Sequence, residues 1–319
     1  MSVTIKDLAR ETGLTAATIS AYFNGASVRP YNREKIDKAV EKLGYIRNDY
    51  ARALRTHKSM TVGVIIPEFY NSFAARVMTE IENALRRHRY GIIISDCGSS
   101  VEREREAVRF LLSKTVDGLI VIPSSDSAAS LDLAVRQALP VVALDRYTES
   151  RNISHVGLSN RKTAREATQA MFDEGRRKIA AIFGDQNIFK ARERLLGCRE
   201  AALAAGAQLL EEPGELSMEG GYKAVKKLLF EHPDLQGVIA TNYEMTIGAA
   251  VALKEAGIKA GDFAFTGFDA VKMLPLLCPG MRLIVQPLKQ MGQVAAETLL
   301  SMIDGGPVRN IVLDAELRQ

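Results

Sequence analysis

Apolar residues recur along this chain at two different spacings, and the change falls near residue 60. Before it, Ile5, Leu8, Ala9 and Thr12 keep the i, i+3, i+4, i+7 spacing of a helix with one buried face. Thr4 followed three residues later by Asp7 predicts a capping box at its start, and Gly13 ends it. Leu14 fills the gap before a second short helix, which Thr15 caps and whose Ile19 and Phe23 point back inward. A loop containing Pro30 leads to Asn32, an N-cap for a third helix striped by Ile36, Ala39, Val40 and Leu43 and stopped by Gly44. Beyond residue 60 the texture is different. Unbroken apolar runs at 62–66, 91–94, 118–122 and 141–144, then at 179–183, 237–240, 263–266 and 283–285, alternate with helical segments. Such runs predict strands of parallel sheets covered on both faces. Residues 290–304 read as one more long helix and 311–313 as a final strand.

These elements predict an all-α head over 1–46, a connecting segment over 47–60, and an α/β core over 61–319. The core divides into two doubly wound parallel sheets, one lobe at about 61–157 plus 288–312 and the other at about 158–287. In the head, two short helices joined by a tight glycine turn form a helix-turn-helix, whose second helix enters the DNA major groove. In the core, ligands of such sheets sit past the carboxyl ends of the strands, here between the lobes. That rule selects Asp96 after the second run, Asp145 and Arg146 after the fourth, and Asn242 and Asp269 after the corresponding runs of the second half.

Charge sharpens the division. The net charge of the 319 residues is +4. Residues 1–60 carry eleven Lys/Arg against six Asp/Glu, whereas the rest carry 31 against 32, so all of the excess positive charge lies on the head. A module that binds phosphates needs that bias. The three cysteines, Cys97, Cys198 and Cys278, are far apart in apolar surroundings, as buried thiols are. The four histidines are isolated, with no nucleophile elbow, glycine-rich phosphate loop or metal-ligand spacing, which argues against an enzyme and against a metal or cofactor. No stretch is apolar enough to span a membrane and the start has no secretory segment, so the expected location is the cytoplasm.

The ordered run Thr4-Ile5-Lys6-Asp7-Leu8-Ala9, Gly13-Leu14-Thr15, Thr18-Ile19-Ser20, Asn24-Gly25 resembles the DNA-binding head of the LacI/GalR family of bacterial transcription repressors. The resemblance continues through the whole chain. It implies a periplasmic-binding-protein-like core and DNA contacts from Thr4, Ile5, Thr15, Ala16, Ala17, Thr18, Ser20, Ala21 and Asn24. It also implies a hinge helix after residue 46 that orders on DNA, with Asn48 as its N-cap, Ala51 close to the minor groove and Leu54 as a wedge between base pairs. The run Arg192-Glu193-Arg194-Leu195-Leu196-Gly197 resembles the family's Arg-Leu-x-Gly signature on a ligand-binding helix. On this resemblance Asp145, Arg194, Asn242 and Asp269 are effector ligands.

The chain departs from the family at several places. Ala16, Ala17 and Ala21 stand where bases are usually read, the last being very often Arg, and Arg47 replaces a frequent Pro. Tyr243 stands where Asp is usual, Glu215-Leu216 where a stacking ring is common, and Ala74 where a second Phe follows Phe73. The chain has no Trp. Tyr70, Phe73 and Tyr243 are therefore the expected rings of the pocket. Lys190 beside Arg194, with Arg146 opposite, leaves room for a phosphorylated sugar as well as a neutral one. The resemblance implies a homodimeric repressor on a pseudo-palindromic operator, its affinity set allosterically by a small ligand between the lobes. The alternatives are the same regulator answering to a non-sugar ligand or protein, or a solute-binding protein or enzyme on the same fold. The chain ends soon after the last strand without a heptad tail, so a dimer rather than a tail-mediated tetramer is expected.

Overall fold

The computed structural model describes residues 3–23, 26–45, 58–70, 72–259, 261–269 and 274–318. The chain divides into two compact units, Met1–Ser59 and Met60–Gln319. In the first, α1 (Ile5–Thr12), α2 (Ala16–Phe23) and α3 (Pro30–Leu43) surround a core of Leu8, Ile19, Ile36, Ala39 and Tyr45. The capping box forms as its spacing demands, with the Thr4 N–H donating to the Asp7 carboxylate at 2.9 Å. Gly13 closes α1 in the left-handed region at φ 68°, a conformation that favours glycine. The third helix begins at Pro30 rather than after Asn32. Proline at the first helical position lacks only an N–H that would have no intrahelical partner, and its fixed φ already suits the helix.

The second unit holds two six-stranded sheets. The strands of the first half are β1 (Thr61–Ile66), β2 (Gly91–Asp96), β3 (Gly118–Val121), β4 (Val141–Leu144) and β5 (Ser154–Leu158). Those of the second are β6 (Lys178–Phe183), β7 (Gln208–Pro213), β8 (Gly237–Ala240), β9 (Ala264–Phe268) and β10 (Arg282–Val285). The chain then adds β11 (Asn310–Leu313) to the first sheet and β12 (Glu316–Arg318) to the second. The orders are β11-β5-β4-β3-β1-β2 and β12-β10-β9-β8-β6-β7, the same topology twice. Pairing is parallel throughout except for β12, which runs antiparallel to β10 at the edge.

The helices of this unit are α4 (Ser72–Arg87), α5 (Val101–Ser113), α6 (Asp132–Arg136), α7 (Asn160–Asp173), α8 (Phe189–Ala205), α9 (Met218–Glu231), α10 (Tyr243–Glu255), α11 (Leu274–Leu277) and α12 (Leu288–Ile303). Alternation along each strand feeds two apolar layers per sheet. Val62, Val64 and Ile66 join the layer under α4 and α12, while Ile65, Leu119 and Val121 join the opposite layer under α5. Ala180, Ile182 and Val238 pack beneath α9 and α10, and Ile179, Ala181 and Ile239 beneath α7 and α8. β5, β7 and β12 are absent from the run of apolar segments because polar residues interrupt them. His155, Glu211, Glu212 and Arg318 lie in strands near or at sheet edges, where one side need not be fully apolar.

Candidate functional site

In the head, Ile19 is fully buried and fixes α2 against α1 and α3. That leaves Thr15, Ala16 and Ala17 exposed at the start of α2, with Thr18, Ser20 and Ala21 partly buried along it. The Thr15 hydroxyl accepts from the Thr18 N–H at 3.2 Å, so it serves as the cap. Thr4 is exposed and Ile5 half-buried at the start of α1. The Tyr22 hydroxyl donates to Asp37 and ties α2 to α3. Asn24, Asn48, Ala51 and Leu54 lie outside the described residues.

In the second unit, the carboxyl ends of the strands from both sheets border a cavity of about 180 Å³. Asp145 follows β4 and Asp269 follows β9, the matching strands of the two sheets, and both take the left-handed backbone region at φ 67° and 70°. Aspartate tolerates that conformation better than most residues. Arg194, on α8, is only 3% exposed. Its Nε donates to Asn160 Oδ1 at 2.7 Å and its Nη1 to the Thr241 carbonyl at 2.6 Å. Its guanidinium lies 3.7 Å from the Phe268 ring centroid. Lys190, one turn earlier on α8, forms a salt bridge across to Asp145 and sits 5.8 Å from the Phe73 ring.

The charges of this site are set by one another. Burial opposes ionisation of Asp145, but Lys190, Arg194 and Arg146 outweigh it and hold the carboxyl below the ordinary aspartate range. Burial pushes Asp269 the other way, and Arg194 and the hydrogen bond from Gln286 (2.7 Å) only partly offset it. Lys190 and Arg194 are both lowered by burial against the pull of Asp145. Four buried polar atoms of residues lining the cavity have no partner among the described residues: Asp145 Oδ1, Arg146 Nε, Arg194 Nη2 and Gln286 Oε1. Two acceptors and two donors thus belong to the lining of a ligand-sized space.

Tyr70, Phe73, Arg146, Asn242 and Tyr243 also line this cavity. Asn242 doubles as the cap of α10, its Oδ1 accepting from the Met245 N–H at 2.8 Å. Arg146 donates to the Pro123 carbonyl at 3.1 Å. Asp96 does not belong to the cavity, contrary to the strand-end expectation. Its two oxygens accept from Phe69 N–H at 2.9 Å and Gly98 N–H at 2.8 Å, so it braces the loops beside the edge strand β2. Gln286, absent from the strand-end candidates above, immediately follows β10 and lines the cavity, so the strand-end rule extends to its short apolar run. Asp126 was invisible there. It follows β3 in the first lobe and accepts from the Phe189 N–H at 3.1 Å and Arg192 Nη2 at 3.0 Å in the second.

A positively charged helix-turn-helix joined to a two-lobed domain with a polar cavity at its strand ends defines a DNA-binding regulator that senses a small molecule. Residues 4–48 match the model described as bacterial regulatory proteins, lacI family, and residues 62–307 match a periplasmic binding protein domain. The chain belongs to the LacI family of transcriptional regulators, and not to a family of enzymes. Its relatives include catabolite control protein A of Priestia megaterium, 29% identical over 94% of this chain and 92% of that one. The ribose operon repressor of Haemophilus influenzae has the same identity and coverage. The crystal structure of the lac repressor dimer bound to operator and an anti-inducer superposes with TM-score 0.86 at 26% identity, covering 100% of this chain and 98% of that one. A transcriptional regulator CelR–cellobiose complex superposes with TM-score 0.75 at 27% identity, covering 99% and 98%. Among the described residues no helix is long and apolar enough to cross a membrane.

Proposed function

We propose that this protein is a cytoplasmic repressor whose homodimer holds a pseudo-palindromic operator and whose DNA affinity is set by a sugar bound between the lobes. One observation carries the ligand assignment: Asp145, Arg194 and Gln286 present unpartnered, buried donors and acceptors to a common cavity. Hydroxyl groups, which both donate and accept, satisfy such a set. The relatives' names point the same way, to ribose and cellobiose. The Lys190 ammonium is already engaged by the Asp145 carboxylate, which leaves Arg146 and Arg194, among the described residues, as the cations with unpartnered donors at the cavity.

Contacts that cross between the lobes include Lys190 to Asp145, the pair of bonds to Asp126 and the Tyr147–Phe189 ring contact. A ligand that binds one interlobe angle better than another shifts the equilibrium between them, and the same shift changes the operator affinity of the attached heads. Two heads are needed because each helix-turn-helix reads one half-site. Thr15, Ser20 and Asn24 with the exposed Ala16 and Ala17 form the reading surface, followed by the hinge residues Asn48, Ala51 and Leu54.

The test is fluorescence anisotropy of the full chain on operator fragments selected from a random pool, with and without a panel of hexoses, pentoses and disaccharides. A selected two-fold symmetric site, a log–log salt dependence of steep negative slope, and a change in affinity with one sugar are expected. No selectable site, or no sugar that changes affinity, would overturn the corresponding half of the assignment.

A further inference from the structure

The cavity between the lobes carries its charges in two separate groups. Four carboxylates line it, Glu68, Asp145, Glu244 and Asp269, against three cations, Arg146, Lys190 and Arg194. All three cations stand with the two aspartates: Lys190 bridges to Asp145, and Arg194 and Arg146 act on Asp145 as well. Glu68 and Glu244 have no such company. Glu68 follows β1 in the first lobe, and Glu244 lies in the first turn of α10 in the second. They therefore approach the cavity from opposite walls. Glu68 accepts one hydrogen bond, from Ser99 Oγ at 2.7 Å, and neither glutamate forms an ion pair among the described residues.

Both are partly buried, so water screens their repulsion only in part. Burial, and then the charge of Glu68, pushes the Glu244 carboxyl up, and Glu68 heads the groups that push up the Tyr70 phenol. The rings of Tyr70 and Tyr243 line the same cavity as the two glutamates. Carboxylates and aromatic faces without a cation are the environment in which an ammonium group is held. A hydroxyl would leave the two charges uncompensated, and a phosphate would be repelled by them.

We propose that the ligand between the lobes is an amino sugar, with its ring hydroxyls on Asp145, Arg194 and Gln286 and its ammonium between Glu68 and Glu244. This rests on the interlobe sugar site proposed above. The four unpartnered polar atoms at the aspartate group are an independent sign that the cavity is built to receive something.

The experiment is a thermal-shift titration of the full chain with matched sugars. Glucose, galactose and mannose are each compared with their 2-amino-2-deoxy and 6-amino-6-deoxy forms, the N-acetylated forms and the 6-phosphates. Within at least one set the free amine is expected to bind roughly tenfold more tightly than the parent, the scale of a charge-assisted hydrogen bond, and N-acetylation to abolish that gain. E68Q and E244Q are expected to bring the ratio of amine to parent affinity toward one. Parent or phosphorylated sugars binding as tightly as the amines would overturn the amino-sugar assignment while leaving the sugar site standing. The wild-type comparison decides this even if a variant fails to fold. No shift with any sugar would overturn the site itself.

Discussion

The two lobes repeat one topology strand for strand, yet the aspartates at their matching strand ends are in opposite electrostatic states. Asp145 and Asp269 leave β4 and β9 in the same left-handed backbone conformation, and both are buried. Asp145 faces the Lys190 ammonium and is held ionised. Asp269 faces the neutral Gln286 amide and is pushed toward its protonated form. The backbone thus supplies two equivalent positions, and the partner side chain gives each its chemistry. A ligand lying between them meets one carboxyl group paired with an ammonium and one paired with an amide.

Removing what the two halves share should have the largest effect. Arg194 joins Asn160, the Thr241 carbonyl and the fields of both aspartates. R194A is expected to lower unfolding free energy by about 3–5 kcal/mol, since it leaves buried charge uncompensated, as urea denaturation would show. It should also abolish the sugar response. Breaking the halves one at a time comes next. D145N leaves the half-buried Lys190 without its partner and is expected to destabilise by about 3 kcal/mol. D269N keeps an acceptor for Gln286 and removes a strained ionisation, so a change under about 1 kcal/mol is expected. Equal losses from the two variants would refute the asymmetry.

The same contrast has a pH signature. The folded Asp145 carboxyl titrates below the ordinary 3.8, so its stabilisation is complete above that value and is lost as pH falls through the folded value. Asp269 titrates above 3.8, so its penalty is absent in acid and grows as pH rises toward its folded value. Thermal unfolding between pH 3 and 7 should therefore show a shallower acid decline in D145N, and D269N should gain relative to wild type as pH rises. Effects well below those of R194A and D145N are expected at the helices after the matching strands β2 and β7. Ser100 and Ser217 cap α5 and α9, accepting from Arg103 N–H at 3.4 Å and Gly220 N–H at 3.0 Å. S100A and S217A are each expected to cost about 1 kcal/mol, with the shorter Ser217 bond giving the larger loss.

Much of this architecture was legible from residue order, because it is written in local spacing. The capping box at Thr4 and Asp7, the glycine stops at Gly13 and Gly44, and the apolar runs of the central strands depend on neighbours within a few positions. Those signals gave the head, the repeated sheet and the strand-end candidates Asp145 and Asp269. β5, β7 and β12 were missed because a strand near a sheet edge can carry His155, Glu211 or Arg318, and its apolar run is broken. Asp96 shows the limit of the strand-end rule. It is the last residue of β2 rather than the first beyond it, β2 is an edge strand, and Asp96 is occupied by the N–H groups of Phe69 and Gly98.

The sequence by itself determined the helices of the head, the central strands and the residues that stand at their ends, since these follow from periodicity and caps. Only the tertiary structure decided that Lys190 belongs to Asp145, that Asp126 reaches Arg192, and that Glu68 and Glu244 border one cavity with no cation paired to either among the described residues. Those pairs are separated by tens to hundreds of residues, and electrostatic character depends on distance in space and on burial, neither of which residue order contains.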